Sequence, residues 1–283
     1  MRSILVATDG SDGARAAMRW AGAAAEATGA PLTAMTAFDP VESELPPARS
    51  DHLRAELARE LDAWVDAAGV GEHVTDRVVE TGDPRDAIPA VASRLDADLV
   101  VVGRVGESAG PGFLHLRSVP EFLVHHSNLP LAVVGGEGEL PNRRVLVATD
   151  GSEKADAALR WAAGYARDCA AELVTVGVAA PDDPTSREVA VARRSTQQEE
   201  LERRVRDEWS GPAVEAEVEF EPVAVIDDDV AEGILATARA RSSDVIVLGM
   251  RGLGGFVGLR VGRVALRTLH RADRTVVLVP PDA

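Results

Sequence analysis

The chain contains itself twice. Residues 4–11 read Ile-Leu-Val-Ala-Thr-Asp-Gly-Ser, and residues 145–152 read Val-Leu-Val-Ala-Thr-Asp-Gly-Ser. Asp9 and Asp150 stand 141 positions apart (150 − 9), as do Trp20 and Trp161 (161 − 20). Further on, LVVVGRVG at 99–106 matches VIVLGMRG at 245–252, with Gly103 and Gly249 offset by 146 (249 − 103), so the second copy carries small insertions. A period near 140 is too long for a solenoid repeat and has the size of a whole domain. The Gly/Pro-rich stretch Gly135-Gly-Glu-Gly-Glu-Leu-Pro-Asn142 suits a linker. The expected division is therefore 1–136, a linker at 137–142, and 143–283.

Within each copy short apolar runs alternate with helical patterns. The runs lie at 3–7, 32–38, 74–79, 99–102 and 131–134, and again at 144–148, 173–178, 214–220, 245–248 and 276–279. The first, fourth and fifth are apolar at successive positions, as strands covered on both faces must be. In the run at 214–220, Val214, Ala216, Val218 and Phe220 alternate with glutamates, which predicts a half-exposed edge strand there. Residues 12–28 and 83–95 carry amphipathic stripes (Met18, Ala21, Ala25; Ala87, Ile88, Val91, Leu95). Ser11 and Ser152 are placed as N-caps, and Pro84 as a first-turn proline. Strand–helix alternation with right-handed crossovers predicts two α/β domains in tandem, each with a parallel sheet of about five strands and helices on both faces.

In such a sheet ligands bind beyond the carboxyl ends of the strands, where the strand order reverses. The turns after the first and fourth strands are also the most strongly marked in the chain. The glycine-rich stretch from Gly249 to Arg263 lies between a buried strand and a helix beginning near 263. Glycines let backbone N–H groups approach an anion, and a helix N-terminus adds positive potential. Arg251, Arg260 and Arg263 add charged donors. The alternative is an ordinary surface loop. In Ala-Thr-Asp-Gly-Ser, the aspartate either accepts hydrogen bonds from a ribose or base, or holds the turn and caps the helix.

Composition narrows the remaining classes. Acidic residues outnumber basic ones 46 to 30, for a net charge of −16, which argues against a nucleic-acid partner. Cys169 stands alone, so neither a disulfide framework nor a cysteine zinc site is available. No run of apolar residues has the length of a membrane helix, and the expected location is the cytoplasm. The lone lysine, Lys154, is not part of a Gly-Lys-Ser/Thr phosphate loop, and no nucleophile elbow or Cys/His pair supports covalent catalysis. Asp227-Asp-Asp229 lacks the spacing of a calcium loop and reads as a helix start; His125 and His126 read as packing or surface residues, and Trp20 and Trp161 as packing anchors. No catalytic or metal-ligating residue is expected.

These residues resemble the universal stress protein family in its tandem two-domain form. The carriers are Val-Ala-Thr-Asp-Gly-Ser at 6–11 and 147–152, Thr81-Gly-Asp-Pro84, and the glycine loops. The family's nucleotide signature is Gly-x2-Gly-x9-Gly-Ser/Thr. The second copy supplies Gly249, Gly252 and Gly262 but has Arg263 in place of the hydroxyl residue. The first copy supplies Gly103 and Gly106, then reads Leu116-Arg117-Ser118, one residue long and without the third glycine.

The resemblance implies two Rossmann-like domains with sheet order 3-2-1-4-5. It also implies an adenine nucleotide as ligand: ATP, ADP or AMP in some members, nothing in others, with Mg2+ admissible beside ATP. The implied second-copy site is Ala148, Thr149, Asp150, Val178, Gly249, Arg251, Gly252, Gly262, Arg263 and Val264. The weaker first-copy site is Thr8, Asp9, Ala37, Gly103, Gly106 and Ser118. The fifth strands, 131–134 and 276–279, are expected to pair within one chain as a pseudodimer, which leaves open a homodimer of chains. The expected role is a non-catalytic nucleotide-binding sensor or regulator in stress response. The alternatives are a pseudodimeric interaction module without nucleotide and a weak ATPase.

Overall fold

The computed structural model describes residues 1–39, 47–104, 119–136, 143–182, 187–252 and 261–282. The chain divides into two compact units, Met1–Pro141 and Asn142–Ala283. The first runs β1 (Ile4–Ala7), α1 (Asp12–Thr28), β2 (Leu32–Phe38), α2 (Pro47–Ala68), β3 (Val74–Thr81), α3 (Pro84–Arg94), β4 (Leu99–Gly103), α4 (Val119–His126), β5 (Leu131–Val134). Its strands are parallel in the order β3-β2-β1-β4-β5.

The second unit repeats the plan with β6 (Arg144–Ala148), α5 (Glu153–Asp168), β7 (Glu172–Ala179), α6 (Arg187–Arg204), a π-helical turn (Val205–Trp209), α7 (Gly211–Glu215), β8 (Phe220–Ile226), α8 (Val230–Ala240), β9 (Val245–Gly249), α9 (Arg263–Arg271) and β10 (Thr275–Val279). Its order is β8-β7-β6-β9-β10, again parallel. Both units are thus α/β, Rossmann-like and five-stranded, with the order 3-2-1-4-5.

The apolar runs become buried strands because helices cover both faces of each sheet. Ile4, Leu5, Val6, Val145, Leu146 and Val147 are all fully buried. The helices that follow the first strands are rich in alanine, and short side chains let the helix axis approach the sheet. Ser11 and Ser152 cap them, accepting hydrogen bonds from Ala14 N and Ala155 N. Trp20 is fully buried, whereas Trp161 is half-buried and stacks on Tyr165 with ring centroids 5.0 Å apart.

The expected strand at 214–220 is corrected by the structure. Pro212 enters the first turn of the short helix α7, whose Ala213 is buried while Val214 is 62% exposed. The chain then turns at Glu217, in the left-handed region at φ 56°, with Glu217 N donating to Val214 O and Val218 N to Ala213 O. A helical turn followed by a left-handed residue reproduces a period of two over a few residues by coincidence. The third strand is Phe220–Ile226 instead. It pairs with β7 at the edge of its sheet, a position that tolerates Pro222 within a strand.

Candidate functional site

In each unit the first and fourth strands lie side by side, and the chain leaves them in opposite directions across the sheet. The crevice at their carboxyl ends is the switch point of the fold. The Thr-Asp-Gly-Ser turn closes one side of it in the same way in both units. Thr8 and Thr149 are buried, and their hydroxyls accept from Gly10 N and Gly151 N at 3.2 Å. Asp9 Oδ1 accepts from Ser11 N, and Asp150 Oδ1 accepts from Ser152 N, both at 3.1 Å; Ser152 Oγ also donates to Asp150 Oδ1 at 2.6 Å. Gly10 and Gly151 have φ of +80° and +74°, and a Cβ on either would collide with an indole, Trp64 or Trp209. The turn-holding role of the aspartates is therefore real. In the second unit Oδ2 of the same carboxylate faces Gly252, where a Cβ would overlap it.

A cavity of about 300 Å³ opens beside this turn in the second unit. All ten residues expected there line it: Ala148, Thr149, Asp150, Val178, Gly249, Arg251, Gly252, Gly262, Arg263 and Val264. Val176, Val178 and Leu248 form an apolar floor, and Val230 and Ile234 of α8 form a wall. At the mouth stand Arg251, half-buried, and Arg263, exposed on the first turn of α9. Both arginines line the cavity.

The glycines differ in what they do. Gly262 N donates to Met250 O at 2.7 Å, and Met250 N to Val279 O at 2.8 Å, so the glycine loop is closed at its base. That closure gives the spacing of the signature a geometric meaning. Gly262 is extended (φ −73°, ψ 152°) with room for a Cβ, and it gives α9 no side-chain cap. Among the described residues nothing else caps the first-turn N–H groups of α9, which form a positive end at the cavity suited to an anion. Gly103 instead serves packing. A Cβ there would lie 2.5 Å from the carbonyl of Gly13, and one on Gly249 would lie 3.3 Å from Lys154 O.

The first unit has a smaller cavity, about 190 Å³, which brings together Thr8, Asp9, Ala37 and Gly103 with Met35, Thr36, Pro84, Ile88, Val119 and Pro120. Gly106 and Ser118 lie outside the described residues, as do Arg117, Arg260 and the expected linker 137–142.

The wall from the third helix was missed by sequence reasoning. Pro84 and Ile88 in one unit, and Val230 and Ile234 in the other, occupy matching places (230 − 84 = 234 − 88 = 146). Thr81-Gly-Asp-Pro84 carried the signal, because it starts that helix at the crevice. The residue before each wall helix is an aspartate. Hydrogen bonding from Arg85 holds the Asp83 carboxyl below the usual range. Asp229 is held low by Arg271 at 2.8 Å and by Arg267 at 3.7 Å, which tie α8 to α9. Asp227–Asp229 is thus a helix start. Among the described residues no group of three His, Cys, Asp or Glu side chains is arranged to hold a metal, and no helix is long and apolar enough to cross a membrane.

Comparison with known proteins agrees with this architecture. The profile of the universal stress protein family matches residues 1–135 and again 141–280. Universal stress protein Rv2623 of Mycobacterium tuberculosis is 28% identical, covering 99% of this chain and 96% of that protein. A universal stress protein of Thermus aquaticus is 34% identical over 135 residues, covering 47% of this chain and 98% of its own length. The crystal structure of a universal stress protein from Archaeoglobus fulgidus has the same fold, with a TM-score of 0.68 at 21% identity, covering 99% of this chain and 98% of that one. The chain belongs to the universal stress protein family and carries two family domains in tandem.

Proposed function

We propose that the second unit binds an adenine nucleotide, ATP foremost, and that the protein acts as a non-catalytic regulator rather than as an enzyme. The observation that supports this reading is the cavity of about 300 Å³, apolar at its floor and bordered at its mouth by Arg251, Arg263 and the uncapped start of α9. An apolar cleft with a few convergent polar groups is the usual form of a cofactor site. A planar base suits the floor near Val178, a ribose suits Asp150 and Thr149, and phosphates suit Gly252, Gly262 and the two arginines. Arg263 replaces the family's hydroxyl with a donor whose bond to phosphate is charge-assisted. The smaller first cavity supports taking the second unit as the principal site.

Regulation requires that the ligand bind two states of the protein with different affinity. The fifth strands, β5 and β10, belong to this reading as the pair that joins the two domains within one chain, with cytoplasmic location and Mg2+ beside ATP as its other elements. Mass spectrometry of whatever co-purifies, followed by a turnover assay with ATP and Mg2+, tests the proposal. An adenine nucleotide that is released intact and remains unhydrolysed over hours is expected. Hydrolysis of many ATP molecules per chain would make the protein an ATPase, and purified protein that takes up no nucleotide would leave an interaction module.

A further inference from the structure

The duplication supplies a comparison within one molecule, away from the crevice, at the C-terminal ends of α3 and α8. In the second unit that end is filled by a guanidinium. Arg274, 16% exposed, donates from Nη1 to the carbonyls of Ser243 (2.5 Å) and Ala238 (3.2 Å). Its Nε and Nη2 donate to the Asp273 carboxylate at 2.7 and 3.1 Å.

The first unit has the same backbone here. Ala97 N donates to Ala92 O as Ser243 N does to Ala238 O, and Ser127 N to Leu123 O as Ala272 N does to Thr268 O. Asp96 and Ser242 are both left-handed, at φ 49° and 51°. The strand registers Val100↔Leu131 and Ile246↔Val276 then set Leu129 in the place of Arg274. With leucine there, a cavity of about 280 Å³ opens, lined by Ala92, Asp96, Ala97 and Leu129 among others.

We propose that this cavity of the first unit binds a guanidinium group brought by another molecule. The carbonyls of Ala92 and Ala97 stand where those of Ala238 and Ser243 receive Arg274. The carboxyl end of a helix attracts a cation. The carboxylate has moved rather than vanished: Asn128 replaces Asp273, while Asp96 replaces Ser242 and borders the cavity. Asp96 already pairs with Arg2 Nη1 at 3.2 Å, in an exposed contact that a ligand can share or displace. Pro89 and Leu129, both half-buried at the cavity, offer an apolar edge for an alkyl stem. The chemistry is that of an alkylguanidine, whether a free metabolite or an arginine side chain of a protein.

Calorimetric titration of the full chain with agmatine, arginine, a Gly-Arg-Gly peptide and urea tests this without reference to nucleotide. Agmatine is expected to bind with a Kd of about 1 mM, a value reasonable for so small a ligand, and urea not at all. Leu129→Arg, which copies the second unit, should abolish binding, and Asp96→Asn should weaken it about threefold or more. Arg274→Leu should create a second site and double the stoichiometry. A peptide at least tenfold tighter than agmatine identifies a protein arginine as the source, and the reverse order identifies a metabolite. No binding of any guanidine by the parent chain, or undiminished binding in both Leu129→Arg and Asp96→Asn, would overturn the proposal. Should Leu129→Arg fail to fold, Asp96→Asn and Arg274→Leu decide alone.

Discussion

Gly103→Ala is expected to destabilise the first unit, although the rule for such a change points the other way. Gly103 does not have a left-handed φ, so alanine could adopt its backbone dihedrals without strain. At such positions Gly→Ala stabilises by about 0.4–1 kcal/mol, by narrowing the unfolded ensemble. A Cβ at Gly103, however, would stand 2.5 Å from both C and O of Gly13 and 2.8 Å from Ala14 N. Restoring an ordinary 3.4 Å contact requires the start of α1 to withdraw by about 0.9 Å, and backbone atoms cannot rotate aside. Overpacking of this kind costs about 1–3 kcal/mol. The net loss is then about 1.5 kcal/mol, or roughly 3–6 °C in Tm for a unit of this size.

The matching change in the second unit provides the control. At Gly249 the nearest atoms are Arg251 O at 3.1 Å and Lys154 O at 3.3 Å, so only about 0.3 Å must be yielded. The packing and entropy effects then nearly cancel, to within about 0.5 kcal/mol. Scanning calorimetry of the parent chain and the two variants reads the difference. Equal effects of the two changes, or a rise in Tm for Gly103→Ala, would refute the claim that the strand-end glycine exists for the close approach of α1.

Three further outcomes follow from the geometry of the second unit. Ser152→Ala removes the cap of α5 and one bond to Asp150, at a cost of about 1 kcal/mol in denaturant unfolding; an unchanged midpoint would show that neither contact matters. Asp229→Asn should flatten the acid side of the stability profile. Its carboxyl is held low by Arg271 and Arg267, so the folded state binds fewer protons than the unfolded one. The stability it lends is present above the ordinary carboxylate value of about 4 and is lost as pH falls through the lower folded value. Tm measured from pH 6 to pH 3 should fall further in the parent chain than in Asp229→Asn, and parallel profiles would contradict this. Burial pushes the Cys169 thiol up to about 11, so at pH 8 roughly a thousandth is thiolate. Labelling by a thiol reagent should be slow until urea unfolds the chain, and labelling at the rate of a free thiol would count against that burial.

Much of the fold is legible in the sequence because its signals are local and doubled. The runs at 4–7 and 145–148, the serine caps and Asp83-Pro84 each act within a few residues, and the repetition separates them from chance. The strand at 214–220 was misread because alternation over seven residues does not distinguish a strand from a helical turn ending in a left-handed residue. The buried Ala213, the exposed Val214 and the left-handed Glu217 separate the two in the structure. The crevice was legible where a motif names it, at Thr-Asp-Gly-Ser and Gly-x2-Gly-x9-Gly. Val230 and Ile234 escaped because a residue lining a cavity and one lining a core have the same helical period. The role of Gly103 escaped as well, since a glycine that admits a helix looks in sequence like a glycine that admits a ligand.

The central claim is that the second unit, and chiefly that unit, holds an adenine nucleotide against the loop from Gly249 to Arg263. Isothermal titration of nucleotide-stripped protein with ATP tests it most directly, run beside Gly252→Val, whose side chain would displace the Asp150 carboxylate. The account predicts a stoichiometry near one, lost in the variant while the variant still unfolds cooperatively without ligand, its Tm lowered by no more than loss of the Asp150 turn contacts would cost. Two equal sites, no heat in the parent chain, or undiminished binding by Gly252→Val would contradict it.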